Sequence, residues 1–319
     1  VSNIEIESKK YATNSKINLK TILKSDFKRN KYIYIMAIPV LIYYLVFCYW
    51  PMYGLIISFK EFVPRLGING SPWVGLKYFK EFFGSYYFLR LMKNTILINI
   101  YDLFWAFPAP IILALLMNEV RNKFFKKTVQ TLTYLPHFIS LVVVCGILID
   151  FTASEGIIND IIVFFGGTSS NLLANPKFFR TIFVGSGIWQ GIGWGSIIYL
   201  AALSGIDPSL YEACTIDGGG RWKQMLHITL PGIMSTIIIL LILRLGQMMN
   251  VGFEKIILLY SPLTYETADV ISSFVYRKGL LEFNYSYSTA VGFFNSIINF
   301  VLLFSANKIS KKYSETSLW

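Results

Sequence analysis

The sequence predicts an all-α integral membrane protein with six transmembrane helices. Of its 319 residues 54% are hydrophobic and only 15% charged, which leaves too little polar surface to cover a soluble globule of this length. Mean hydropathy is +0.53. The apolar residues also gather into six stretches, each close to or beyond the about 20 residues that a helix needs to cross a hydrocarbon core.

Val1 to Lys31 interleaves lysines with Ile17, Leu19, Ile22, Leu23 and Phe27, the pattern of an amphipathic, partly disordered arm lying on a membrane surface. The apolar stretches then run Tyr32 to Phe59, Leu91 to Met117, Leu132 to Phe151, Ile182 to Leu203, Ile233 to Leu259 and Ser288 to Ala306. All read as helices, because a span isolated in lipid satisfies its backbone hydrogen bonds internally. The alternation of membrane-barrel strands, ~10 residues at a time, is absent. The first stretch exceeds the roughly 7 to 15 apolar residues of a cleavable signal, so it is expected to remain as a span, kinked at Pro39 and Pro51. Residues 32–306 form one membrane domain containing a polar hairpin over 205–231, and 307–319 form a tail.

Charge sets the orientation. Seventeen basic residues fall in the arm, after the second stretch (Arg121, Lys123, Lys126, Lys127), in the hairpin (Arg221, Lys223) and in the tail (Lys308, Lys311, Lys312), against nine in the alternate loops. The positive-inside bias therefore places both termini and the hairpin in the cytoplasm. That bias, with attraction to anionic lipid, accounts for the net charge of +11 without nucleic acid. No basic and aromatic interleaving of the single-strand-binding kind occurs.

Catalytic chemistry finds little support. No phosphate-cradling G-x-x-x-x-G-K-[ST] loop occurs, and Gly218 to Gly220 lacks the Lys-Ser that would follow. The two histidines, His137 and His227, read as interfacial or packing residues. Cys48, Cys145 and Cys214 show no metal or disulfide spacing and read as small packing groups. No catalytic residue, bound metal or cofactor is expected in this chain.

The hairpin is the most specific local signal. Asp207-Pro208 supplies a capping carboxylate ahead of a proline suited to the first helical position, so a helix should run to about Ile216. Gly218 to Gly220 stops it, and a second short helix, Arg221 to Ile228, is expected to end before Leu230-Pro231. The sequence Glu212-Ala213-Cys214, then Asp217-Gly218-Gly219, then Ile228, Leu230 and Pro231 resembles the E-A-A-x-x-x-D/G-G … I-x-L-P motif of membrane subunits in ATP-binding-cassette importers. Cys214 and Gly219 depart from the commoner alanines and stay small. Tyr134 to Ser140, Asn250 to Lys255 and Ser314 to Trp319 are similar to the polysaccharide and complex-oligosaccharide branch of the maltose-type carbohydrate permeases.

That resemblance implies a permease that pairs with a second, related permease. It also implies two cytoplasmic ATPase subunits, which bind the ATP and Mg, and an extracellular solute-binding protein that delivers an oligosaccharide. By the same resemblance the hairpin is the coupling helix seated on an ATPase, with Glu212, Ala213, Asp217, Gly218, Gly219, Leu230 and Pro231 as its contact positions. On the external side, Asn69, Gly70, Pro72, Trp73 and residues 152–179 and 261–287 stand where a solute-binding protein would dock.

Cargo contact is read from the spans. Arg244, Gln247, Val251 and Glu254, with Asn250 beside them, form one stripe on a continuous fifth helix. A charge at mid-membrane depth faces a bundle interior or wet cavity. Arg244 either meets a cargo carboxylate, as an acidic oligosaccharide would supply, or pairs with Asp150 or Glu254. Thr289, Gly292, Ser296 and Asn299, with Asn295 adjacent, make a similar stripe on the sixth span. Trp189, Gln190 and Trp194 on the glycine-rich fourth span either stack on and hydrogen-bond to sugar rings or fill gaps between helices. The competing class, an ion-coupled secondary transporter, would show inverted repeats and paired broken helices, and neither is legible.

Overall fold

The computed structural model describes residues 27, 29–313, 317 and 318. Residues 1–26 and Lys28 of the expected arm, and Ser314, Glu315, Thr316 and Trp319 of the tail, lie outside them. The described residues are helical apart from loops and one isolated antiparallel bridge between Lys60 and Trp73. They divide into two compact units, Val1–Ile56 and Ile57–Trp319.

The first unit is most of α1 (Lys31–Phe59). Its first three pieces bury no side chain, and a helix apolar on every face is one that a membrane can cover. Pro39 and Pro51 lie within it. In the second unit the long elements are α2 (Tyr87–Glu119), α3 (Lys123–Tyr134), α4 (Leu141–Phe164, interrupted at residues 153–156) and α5 (Pro176–Ser204). The hairpin α6 (Pro208–Ile216) and α7 (Arg221–Gly232) follows, then α8 (Met234–Leu245), α9 (Phe253–Leu259) and α10 (Tyr285–Tyr313).

A recurring device admits prolines into these helices. Wide π turns at Tyr44–Tyr49, Asp102–Ala106 and Met225–Thr229 each end two residues before a proline, Pro51, Pro108 and Pro231. A proline ring clashes with the carbonyl four residues earlier, and in all three cases that carbonyl lies inside the π turn, whose wider spacing removes the conflict. Helix α7 therefore runs on to Gly232 instead of stopping before Leu230-Pro231, as the proline alone suggests. The chain then turns by 56° between α7 and α8.

Two other expectations are corrected. The third stretch, Leu132 to Phe151, is not one helix. Helix α3 passes into a tight turn at Leu135–Phe138, and α4 restarts at Leu141, its first turn capped by the Ser140 hydroxyl. The fifth stretch is broken as well: α8 ends at Leu245, residues 246–249 turn, residues 250–252 are irregular, and α9 begins at Phe253. The stripe from Arg244 to Glu254 therefore does not follow one helix.

Four described helices are long and apolar enough to cross a membrane, Lys31–Phe59, Tyr87–Glu119, Leu141–Phe164 and Tyr285–Lys312, or five if α7 and α8 count as one bent span. Helix α5 is not among them, because its glycines, serines, Gln190 and Arg180 dilute the apolar run. At 29 residues it is nonetheless the equal of α10 in length. Gly193 lets it approach α3 closely, since a Cβ there would stand 2.1 Å from the Thr133 carbonyl oxygen.

Three buried clusters hold the second unit together. One joins Phe82, Leu91, Met249, Phe274 and Val291. A second joins Ile98, Cys145, Phe179, Ile256 and Val270. The third, around Ile111, Tyr199 and Ile233, ties α2 and α5 to the foot of α8.

Candidate functional site

The hairpin is built by local hydrogen bonds. The Asp207 side chain caps α6 by accepting from the Ser209 N–H at 2.9 Å, which holds its carboxyl below the usual value. At the other end the Gly218 and Gly219 N–H groups donate to the Thr215 and Cys214 carbonyls at 3.1 and 2.7 Å. Gly218 adopts φ 73°, a left-handed conformation that glycine enters without cost. Gly219 is required for space, since a Cβ there would lie 2.3 Å from Cys214 Sγ and 2.8 Å from the Cys214 carbonyl oxygen. Cross-links then lock α7 onto α6. The Gln224 amide donates to Thr215 Oγ1 at 2.9 Å, and the Tyr211 and Thr229 hydroxyls share a hydrogen bond of 3.1 Å.

The locked elbow turns apolar and acidic groups outward together. Leu210, Ile216, Trp222 and Leu226 are exposed, Ile216 by 86% and Trp222 by 75%. Glu212, Ala213, Asp217, Gly218 and Pro231 are exposed among them, while Gly219 and Leu230 are half-buried.

The residues expected to meet cargo fall into three places. Arg244 and Gln247 line a cavity of about 410 Å³ walled by α2, α5 and α8, where Gly187, Gly191 and Gly195 present backbone to the space. Arg244 is paired there with Asp102, not with Asp150 or Glu254. Asp102 begins the π turn of α2 and went unremarked in the sequence. It is the sole carboxylate in the stretch Leu91 to Met117, the signal that would have found it.

Asn250 and Asn295 lie elsewhere, at the broken fifth stretch. Asn250 Oδ1 accepts from the Asn295 and Asn299 amides at 3.0 and 3.1 Å, and Asn299 Oδ1 accepts the Met249 N–H at 2.9 Å. The Val251 carbonyl accepts from Ser272 Oγ at 3.0 Å. Unwound backbone is tolerated at membrane depth only when protein or water satisfies it, and these side chains do so. Asn295 also lines a second cavity of about 400 Å³ with Phe253, Tyr276 and Tyr285. The aromatic group is separate again. Trp194 stacks on His137 with ring centroids 4.5 Å apart, the Gln190 amide reaches the Ile139 carbonyl at 3.3 Å, and Trp189 is exposed.

A further polar cluster escaped the sequence reading. Fully buried Asp269 accepts from Arg277 at 2.7 and 3.2 Å, from Ser273 at 2.9 Å and from Arg90 at 3.3 Å. Burial opposes the charge on Arg277, but hydrogen bonds and charge from Asp269 and Tyr260 outweigh it and raise the pKa of the guanidinium. Asn94 extends the cluster by donating to the Glu266 and Asp269 carbonyls and accepting from Arg180. The sequence shows Arg90, Arg180 and Arg277 only as loop charges: Arg90 reaches Asp269 across 179 residues and Arg180 reaches Asn94 across 86, separations that leave no local pattern.

Residues 106–315 match the family described as binding-protein-dependent transport system inner membrane component. This chain belongs to that family. The transport component is 46% identical to Protein LplB of Bacillus subtilis (strain 168) over 293 residues, covering 92% of each chain. It is equally 46% identical to the polygalacturonan/rhamnogalacturonan transport system permease protein YteP of the same organism, covering 91% of each. Among solved structures it resembles a chain of a bacterial ABC transporter involved in import of the acidic polysaccharide alginate, with a TM-score of 0.85 and 43% identity over 92% of this chain and 99% of the other. A second likeness, with the same TM-score and coverage and 42% identity, is to the bacterial alginate ABC transporter in complex with an alginate pentasaccharide-bound periplasmic protein.

Proposed function

We infer that this chain is the permease subunit of an ATP-driven importer and carries an oligosaccharide, specifically an acidic one, across the membrane. The observation that carries the reading is the likeness over 92% of the chain to a chain of a bacterial ABC transporter involved in import of the acidic polysaccharide alginate. The polygalacturonan transporter supports the same cargo chemistry, since both named polymers bear a carboxylate on their uronic acid rings. A related permease completes the pathway, two ATPase subunits bind ATP and Mg, and an extracellular binding protein delivers the sugar.

In this reading six segments cross the membrane: α1, α2, α4, α5, the α8–α9 segment that is broken between its two helices, and α10. Both termini and the hairpin are cytoplasmic. The 410 Å³ cavity is this subunit's share of the cargo path, with Arg244 and Gln247 as polar contacts and the glycine face of α5 admitting a sugar ring close to backbone. Trp189, Gln190, Trp194, Asn250 and Asn295 border the path from outside that cavity.

The exposed apolar and acidic face of α6 and α7 supports its role as the coupling helix. Burying Ile216 and Trp222 in an ATPase groove removes large apolar surface from water, while the hydrogen-bonded elbow transmits displacement instead of absorbing it. Closure of the ATPase pair then moves the spans as rigid bodies. Detergent purification of the assembled complex tests the docking. The ATPase subunit should stay bound to the wild type and be lost from the double variant Glu212→Ala, Gly218→Val. Retention by that variant would refute the hairpin's role.

A further inference from the structure

Lys255 stands on α9 just beyond the break, and only 8% of it is exposed. Its ammonium donates to the Phe183 carbonyl at 2.9 Å and lies 4.7 Å from the centre of the Phe183 ring. Among the described residues no carboxylate lies within ion-pairing distance of it. A buried charge without a counter-charge is costly inside a helical bundle. One carbonyl and one ring face offset only part of that cost.

The wall beside this ammonium is thin. A Cβ at Gly187 would stand 3.6 Å from Lys255 Nζ, and Gly187 itself lines the cavity that holds Arg244 and Gln247. The cavity is therefore flanked by two cations in different states: Arg244 already has the Asp102 carboxylate, and Lys255 has none.

We propose that Lys255 is a specificity-determining residue of this cavity, supplying the cation that meets a cargo carboxylate at Gly187. The inference rests on the acidic-oligosaccharide reading and deepens it by assigning the charge selection to a residue outside the visible lining. Glycine at 187 serves this role twice, by admitting the sugar ring close to α5 and by leaving no side chain between the carboxylate and the ammonium. Lys255 binds the carboxylate ionically, while the exchange of Arg244 between Asp102 and a second uronate of the same chain remains available.

Binding of tetragalacturonate and of its fully methyl-esterified form to the detergent-purified complex, without the solute-binding protein, tests the proposal. The ester keeps the size and removes the charges. In Lys255→Gln the Kd for the acid should rise at least tenfold while the Kd for the ester does not follow, and Lys255→Arg should recover most of the loss. Gly187→Ala should weaken acid binding selectively too. Its methyl meets Nζ at an ordinary contact distance, so it carries the test if Lys255→Gln does not assemble with the ATPase. A wild-type preference for the acid that persists in these variants overturns the role of Lys255 alone. A wild-type complex that binds acid and ester equally, or binds neither, defeats the acidic-cargo reading itself.

Discussion

Adjacent glycines in the hairpin should fail for different physical reasons. Gly218 has φ 73° and nothing within 4 Å of a Cβ position, so Gly218→Ala is penalised only through its backbone. A left-handed alanine costs about 1–2 kcal/mol. Gly219 has the opposite problem, because its Cβ would overlap both the sulfur and the carbonyl oxygen of Cys214. Overpacking of that kind costs about 1–3 kcal/mol and displaces the carbonyl that the Gly219 N–H uses. If the ATPase binds the elbow in this geometry, those energies appear as lost affinity, at 1.4 kcal/mol per tenfold. Gly218→Ala should weaken ATPase binding by roughly 5- to 30-fold. Gly218→Asn should be milder, because asparagine tolerates the left-handed region. Cys214→Ala should rescue part of the Gly219→Ala defect by removing the sulfur but not the carbonyl. The assay is titration of the purified ATPase subunit onto the solubilised permease pair. The reasoning is refuted if Gly218→Asn is as damaging as Gly218→Ala, or if Gly219→Ala binds like wild type.

Other outcomes follow from the polar clusters. Asn250→Leu removes the acceptor of two amides, at about 1–3 kcal/mol for each buried donor left unpaired, and should lower the melting temperature in detergent; an unchanged melt would contradict the bracing of the break. Asp269→Asn strips the carboxylate from Arg90 and Arg277 and should cost about 3–5 kcal/mol. Glu61→Gln at the exposed Lys77 pair should cost less than about 1 kcal/mol, and equal losses would show that burial does not set the difference. Asp102→Asn frees the partly exposed Arg244. It should destabilise by only about 1 kcal/mol while tightening acidic oligosaccharide binding, and Arg244→Gln should weaken it; identical responses to acidic and neutral oligosaccharides would contradict a role for this charge in cargo binding.

Local chemistry was legible in the sequence, and long-range pairing was not. Asp207-Pro208 and the glycine run announce α6 and its end, and the structure caps them with those residues. The break after Leu245 was hidden because Asn250 looks like one more polar residue on a helical stripe. Its role depends on Asn295 and Asn299, more than forty residues away. Prolines misled at Pro231 for a related reason: the π turn that accommodates the ring leaves no mark in the sequence. Arg244 stands out in the sequence as a charge that meets either a cargo carboxylate or an internal one, and the carboxylate it pairs with, Asp102, lies 142 residues earlier, too far for any local pattern to link the two. The aromatic residues of α5 were the least legible, since Trp194 finds its stacking partner in His137, which sits in the tight turn that interrupts the third stretch.

The most direct measurement of the central claim is uptake by proteoliposomes holding this permease with its permease partner and ATPase, supplied outside with binding protein loaded with an acidic oligosaccharide. Uptake should require ATP inside, require the binding protein outside, and persist when sodium and proton gradients are collapsed. Uptake that continues without ATP and follows an ion gradient would contradict the account.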